Sequence, residues 1–484
     1  MERRPVIVTE QVATAPDDDP AQSTVAANTD KSTNPGRVST ATSTDAVKQT
    51  PKPDKHLYQI DFVRLVTFAS VILDHIILVV PALVTMSTGA LGMLLRYTRD
   101  SFFALTGFVL TYQYRDRELK ATTFWRRRYK LIGLPFVTWT FFYWFYNRYL
   151  GGGWADLRAI ADSAATITEA IKSIGYDLVL GHAMYHLYFL SVSMQIYAVF
   201  PLILWVLRRT WGYHRYLLAA AAAFHFLLLH AITGPWRWHL IDSPLRVVVN
   251  HIEVTILPYI LYILVGCVAA MHFPAFQSFM SRFRWPVIAS SLVVVVATVV
   301  YFVHEVDLGI DIERASNVFL VHNAFAYIAI IAILYCLGTL WQDRRRPGSV
   351  ADNFMRTAAD RSFGIYLAHA LALSALLPTI DAHLNIAPWP RMLLSFAMTV
   401  VLTVFIVEVL RRSPISLITT GRGTLDWRAQ NGTRSLLVGV GALVVGVALR
   451  LLDQSLLGNV VIATALLLIV SAAVVLRKQA AAAA

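Results

Sequence analysis

The sequence predicts an all-α protein, a polytopic membrane bundle of about twelve transmembrane helices. Three observations predict it. Of 484 residues, 56% are apolar, and the mean hydropathy is positive, a composition outside the range of soluble domains. The apolar residues fall in separate runs of about 20, the length that crosses a hydrocarbon core of roughly 30 Å. The cations lie between those runs, in loops that alternate between basic and sparse. Arg115 to Lys130 holds seven Lys or Arg. Arg208, Arg209 and Arg215 continue the series, followed by Arg282 and Arg284, Arg344 to Arg346, and Arg411, Arg412, Arg422, Arg428 and Arg434. By the positive-inside rule these loops share the cytoplasmic side, which puts both termini there. The net charge of +12 is therefore a signature of topology, and nucleic acid is not an expected partner.

In chain order, residues 1–55 are rich in Thr, Ser, Ala, Asp and Pro with almost no aromatic residue. Such a segment buries too little apolar surface to offset chain entropy and reads as a disordered cytoplasmic tail. It has no apolar core or cleavage pattern, so no signal peptide is expected. The first span is Tyr58 to Val80. Others are expected near Met93–Tyr112, Leu131–Leu150, Ala183–Leu207, Tyr216–Thr233 and Ile252–His272. Six more lie near Trp285–Val303, Val318–Leu340, Ser362–Pro378, Trp389–Leu410, Ser435–Leu451 and Leu456–Leu476. The organisation is thus a ten-span core over 56–412, a basic cytoplasmic linker over 413–434 and a C-terminal pair of helices over 435–478. After a hinge at Gly151 to Gly153, apolar residues recur every three to four positions from Trp154 to Ile174. That spacing predicts an amphipathic helix on the outer face, lying on the membrane surface or packed on the bundle. Cys267 and Cys336 both fall inside spans, and neither a disulfide framework nor a metal site is predicted.

The first span carries Asp61, Arg64, Asp74 and His75. Charge inside a bilayer costs several kcal/mol, so a span that keeps it faces protein or a wet cavity and marks a candidate site. Arg64 and His75 are eleven residues apart, three helical turns plus roughly 20°, so they share one face about 16 Å apart. If the second span begins near Met93, Arg99 and Asp100 lie about 10 Å below the outer face, level with His75. Asp100 could then fix the imidazole tautomer, with Arg99 neutralising it or meeting a developing negative charge. Asp74, about 100° round the helix from His75, is the rival orienter. All three could equally pair with one another and hold helices together. Level with Arg64, the third span opens with Arg126, Arg127, Arg128 and Lys130, which could hold a phosphorylated donor or simply orient the protein.

These residues carry a resemblance. Arg64 and His75 form an R-x10-H pattern, and SFFALTGFVL at 101–110 is similar to an FFxxSGF stretch with Thr106 in place of Ser. RRRYKLIGLPFVTW at 126–139, HLYFL at 186–190, LPYILYILVG at 257–266 and SFGIYLAH at 362–369 follow in order. Over roughly 56–412 the chain resembles the acyltransferase 3 family of membrane O-acyltransferases. The resemblance implies transfer of an acyl group, often acetyl, from cytoplasmic acyl-CoA to a hydroxyl of a glycan or glycolipid outside. It places Arg64 and His75 at the essential pair and residues 126–130 at an RxxR region, here altered because Arg127 is followed at the third position by Lys130. Physical and family readings converge on a two-level site: phosphates at Arg64 and the 126–130 cluster, with His75 as general base. Direct transfer and an acyl-histidine step both remain open.

On the outer side, His182 and His186 have an i, i+4 spacing that suits zinc. No third ligand is evident, so interfacial hydrogen bonding is the expected role. His186, Glu253, Tyr366 and His369 are candidate contacts of the acceptor, as is Arg99. A secondary transporter of an envelope lipid or glycan precursor is the competing reading, but the related halves such folds commonly show are not visible. A binding-only relative without activity is a third.

Overall fold

The computed structural model describes residues 56–81 and 83–483, which form twenty α-helices and no strand. The expected disordered tail lies outside the described residues. Helix α1 (Tyr58–Val79) is followed by α2 (Met86–Leu95) and α3 (Tyr97–Tyr114), which meet at a tight turn on Arg96. Helix α4 (Ala121–Arg128) passes through one π turn, Tyr129–Gly133, into α5 (Leu134–Ala159). Helices α6 (Ala164–Leu180), α7 (Tyr188–Arg209) and α8 (His214–Thr233) come next, then two short helices, α9 (Trp236–Ile241) and α10 (Arg246–Asn250). Helix α11 (Ile260–Met271) bends by 97° into α12 (Phe273–Arg282). The chain continues through α13 (Arg284–Asp307), α14 (Ile312–Ala315), α15 (Val321–Arg344), α16 (Val350–His383) and α17 (Pro388–Arg412). It closes with α18 (Ser416–Thr420), α19 (Gly432–Leu451) and α20 (Ser455–Ala483).

By length and composition, nine of the described helices can cross a membrane, or ten if the bent pair counts as one span. The protein is a multi-pass helical membrane bundle. The second and third of the twelve expected spans, α3 and α5, are not among the nine, although they run for 18 and 26 residues. Their polarity has a clear source: α3 carries Arg99, Asp100 and several hydroxyls, and α5 substitutes Trp, Tyr and Asn for aliphatic residues. Both bury that polarity against neighbours, which hydropathy alone does not register.

Four boundaries differ from expectation for local reasons. The second span begins at Met86, where Thr85 makes a capping box with Thr88. The fourth span becomes helical only at Tyr188, after an irregular stretch from Gly181 to Leu187 whose Ala183, His186 and Leu187 are buried. Irregular backbone at membrane depth is tolerated where protein covers it. The N-terminal end of the sixth span is 3-10 and irregular, with continuous helix from Ile260. The amphipathic stretch splits, since Gly153 takes φ +65° and Ser163 caps α6. Ile167 and Ile171 on α6 stay exposed.

Helix α1 lies at the centre and packs on α2, α3, α15, α16 and α17. Phe68 and Val71, between Arg64 and His75, are buried, and Phe68 stacks obliquely on Phe102 of α3 at 5.0 Å. Helices α3 and α11 approach closely: a Cβ on Gly107 would lie 2.3 Å from the Ile263 carbonyl and one on Gly266 1.9 Å from that of Ala104. Small residues let backbones approach where lipid removes the hydrophobic drive between helices. The last two helices pack chiefly on each other, and α20 also rests on α16 and α17. Gly266→Ala should destabilise the protein by about 1–3 kcal/mol, the cost of overpacking. Gly441→Ala on α19, where a Cβ meets open space, should be neutral or slightly stabilising, as thermal unfolding in detergent would show.

Candidate active site

Helix α1 presents Arg64 and His75 inward, 3% and 1% exposed. Around His75 gather residues from two other elements. The irregular 181–187 stretch supplies Tyr185, edge-on to the imidazole at 4.5 Å, and His186. Helix α16 supplies Tyr366 and His369, and the His369 ring lies 5.1 Å from that of His75 and 5.0 Å from that of His186. Of the expected outer-side residues, the structure therefore brings His75, His186, Tyr366 and His369 into one buried cluster.

The hydrogen bonds in this cluster have a direction. The Tyr366 carbonyl can only accept, so His369 Nδ1, 2.5 Å away, carries the proton. In a neutral ring that makes His369 Nε2 a lone-pair acceptor. His75 Nδ1 lies 3.1 Å from it and must donate. The remaining nitrogen of His75, Nε2, then holds its lone pair, and it is buried without a hydrogen-bond partner among the described residues. Two tyrosines hold this part of α16 in register. The Tyr366 hydroxyl donates to the His186 carbonyl, tying helix to loop. The Tyr143 hydroxyl of α5 donates to the Leu367 carbonyl at 2.7 Å and accepts from the Leu371 amide at 3.1 Å. It thus enters the helical ladder around His369.

Neither expected carboxylate orients His75, since Nδ1 bonds to His369. The reason lies in helix register. Ser101 meets Thr67 at 3.4 Å and Tyr97 meets Ser70 at 3.1 Å, so Asp100 stands near the level of Thr67. His75 is eight residues further along α1, roughly 12 Å. The residue opposite Asp74 and Ile77 is Gly92, because the second span starts seven residues earlier than its hydropathy suggests. Asp100 lies 3.8 Å from Arg99, whose guanidinium also donates to the Val318 carbonyl at 3.0 Å and sits over Phe319. Together with His225 and Tyr262 they line a cavity of about 10 Å³, room for about one water. Asp74 lies 3.9 Å from Arg96, which bonds Ser316 at 2.9 Å. Glu253 contributes its backbone carbonyl, accepting from the Tyr259 hydroxyl at 2.9 Å.

At the opposite end of α1, Arg64 lies 3.3 Å from Asp61. The basic run divides. The π turn at Tyr129–Gly133 leaves Arg128 buried, bonded to Gln113 Oε1 at 2.7 Å and over the Phe124 ring, while Arg126, Arg127 and Lys130 are exposed. His182 is exposed and its ring lies 6.1 Å from that of His251. Tyr185 and the orienting role of His369 are absent from the sequence-based reading, and Tyr143, which as an aromatic near a span end reads as an interfacial belt residue, is instead fully buried. The SFGIYLAH motif contains Tyr366 and His369 three residues apart, which is the spacing that lets a helical imidazole bond its own i−3 carbonyl. Histidine NMR with 15N labelling should find His75 protonated at Nδ1, and His369→Ala should leave a mixture of tautomers.

The chain was compared with known proteins. No curated protein and no solved structure matches it. Residues 57–408 match the acyltransferase 3 family model, described as an acyltransferase domain. The match takes in α1 with Arg64 and His75, the basic run and α16, and it stops before α18. Covering well over half of the chain, it establishes that the protein belongs to the acyltransferase 3 family.

Proposed function

We propose that this protein is an O-acyltransferase of the cell membrane with twelve spans and cytoplasmic termini. It moves an acyl group, acetyl being the expected one, from cytoplasmic acyl-CoA to a hydroxyl of an extracytoplasmic glycan or glycolipid. The observation that carries this reading is the buried His75 Nε2, directed to hold a lone pair by the hydrogen bond from His75 Nδ1 to His369. A base needs a nitrogen whose protonation state is set beforehand and whose lone pair is available to the incoming proton. His75 Nε2 takes the proton of the acceptor hydroxyl as its oxygen attacks the thioester carbonyl. The new C–O bond forms, the C–S bond breaks, and the proton passes from Nε2 to the departing CoA sulfur.

His369 is a positioning residue in this scheme: it acts through His75. Tyr185 packs edge-on against the His75 imidazole, and His186 and Tyr366 pack against His369. The phosphorylated end of the donor sits with Arg64 at the other end of α1, about 16 Å away, a distance an extended pantetheine arm covers. Arg126, Arg127 and Lys130 are exposed on that side and available to phosphates as additional cations. Asp74 and Asp100, each beside an arginine, serve the packing around the site.

His75→Ala should lower acyl transfer by at least about 10²-fold, the usual scale for a lost general base, with the protein still folded in the membrane. Mass spectrometry of envelope glycans and glycolipids from cells with and without the protein should differ by one acyl group. Unchanged acylation in the His75→Ala strain, or altered flux of an unacylated substrate instead, would favour the transporter reading. His369→Ala should cost less than His75→Ala, acting on kcat more than on KM, because the base survives but loses its fixed tautomer.

A further inference from the structure

The segment after α17 lies beyond the family match yet folds back onto the core. Helix α18 packs on α5, α16 and α17. The Trp139 indole donates to the Thr419 carbonyl at 2.8 Å, and Gly421 presses against the start of the third span. A Cβ on Gly421 would lie 2.4 Å from the Leu131 carbonyl and 3.0 Å from the Phe363 ring, and its φ is +66°, so glycine is required there on two counts. That contact puts the next residue, Arg422, beside the segment that carries the basic run.

Arg422 enters a cluster in which guanidiniums outnumber carboxylates. Its Nε lies 3.5 Å from Asp360, which also meets Arg361 at 2.5 Å and Arg411 at 3.1 Å. Glu408 is divided between Arg361 and Arg412 at 2.7 and 2.8 Å. Arg64, with its own Asp61, is close enough to act on Arg422. Burial pulls the Arg422 pKa below its ordinary value, Asp360 opposes, and the neighbouring charges of Arg411, Arg64 and Arg361 lower it further. Arg411 and Arg64 side chains are 6% and 4% exposed, whereas Arg422 is 26% exposed. Of the three, Arg422 is the one a ligand from the aqueous side reaches directly.

We propose that Arg422 is a donor-binding residue, completing with Arg64 a cationic rim that takes the phosphorylated end of acyl-CoA. The proposal rests on the acyl-CoA reading above and extends it to a residue outside the family domain. A phosphate group brings the negative charge that this excess of guanidiniums lacks, and an arginine fork meets it with two parallel N–H donors. Gly421, seated against the third span, holds Arg422 at that rim.

The test uses the full chain in detergent or nanodiscs with two donors, acetyl-CoA and the phosphate-free S-acetylpantetheine. Arg422→Gln should lower kcat/KM for acetyl-CoA by roughly tenfold or more through KM, the order expected for one charge-assisted hydrogen bond. It should leave S-acetylpantetheine unchanged. Arg422→Lys, which keeps the charge and preserves folding if the glutamine variant does not, should stay within about threefold for acetyl-CoA. Equal losses with both donors, or no loss with acetyl-CoA, would overturn the proposal. Equilibrium binding of CoA separates the two levels of the argument. Weaker CoA binding by Arg422→Gln supports the rim even if His75→Ala leaves transfer intact, a result that strikes only the reading of His75. Equal CoA binding by wild type and Arg422→Gln, with transfer still dependent on His75, overturns the rim alone. No CoA binding by wild type overturns both.

Discussion

A peptide carbonyl has no proton to give, and that constraint organises the centre of this bundle. Because the Tyr366 carbonyl must accept from His369, each neutral imidazole along the chain has its proton placed, ending with a lone pair on His75 Nε2. The surrounding structure keeps those atoms aligned. Helix α16 is tied to the 181–187 stretch through Tyr366 and His186, and to α5 through the Tyr143 hydroxyl. Buried polar networks of this sort stabilise a unique arrangement only when their members find partners. Among the described residues His75 Nε2 is left without a partner, as are both ring nitrogens of His186, and the proposed proton transfer depends on the first of these.

The remaining buried charge is arranged so that it does not compete for that nitrogen. Arg99 lies beside Asp100, and Arg96 beside Asp74, while His75 Nδ1 meets His369. Each also draws on backbone or hydroxyl oxygens of the 316–318 stretch, a segment that loops between α14 and α15. Removing one partner of such a pair strands a charge in a low-dielectric setting and is far more costly than the pair is stabilising. By position these arginines and aspartates link α1 and α3 to the 316–318 stretch.

The two ends of α1 differ in chemistry. One is lined by imidazole and phenol groups, His75 meeting His369 and Tyr185; the other collects guanidiniums and carboxylates. A single helix separates them, by about 16 Å between Arg64 and His75, a span that suits the long donor proposed above. The basic end is not built by the core alone. The turn through Gly421 brings a segment from beyond the family match into contact with the start of the third span.

Much of the architecture was legible in the sequence. Runs of about 20 apolar residues define membrane helices because length and hydrophobicity suffice for insertion, and α1 was placed to within a residue. The shared face of Arg64 and His75 follows from helical periodicity, which is local. The partners of those residues are not local. Whether Asp100 or His369 meets His75 depends on the register between α1 and α3, and a start at Met86 instead of Met93 moves Asp100 by about two turns. Hydropathy does not register polar residues that a neighbour covers, so α3 and α5, expected as spans near Met93–Tyr112 and Leu131–Leu150, fall outside the nine described helices apolar enough to qualify. Periodicity and composition determined that a cation and an imidazole would share one buried stripe. Only tertiary structure decided which proton donor and which acceptor meet there, because hydrogen bonds across helices depend on register, and register belongs to the packed bundle.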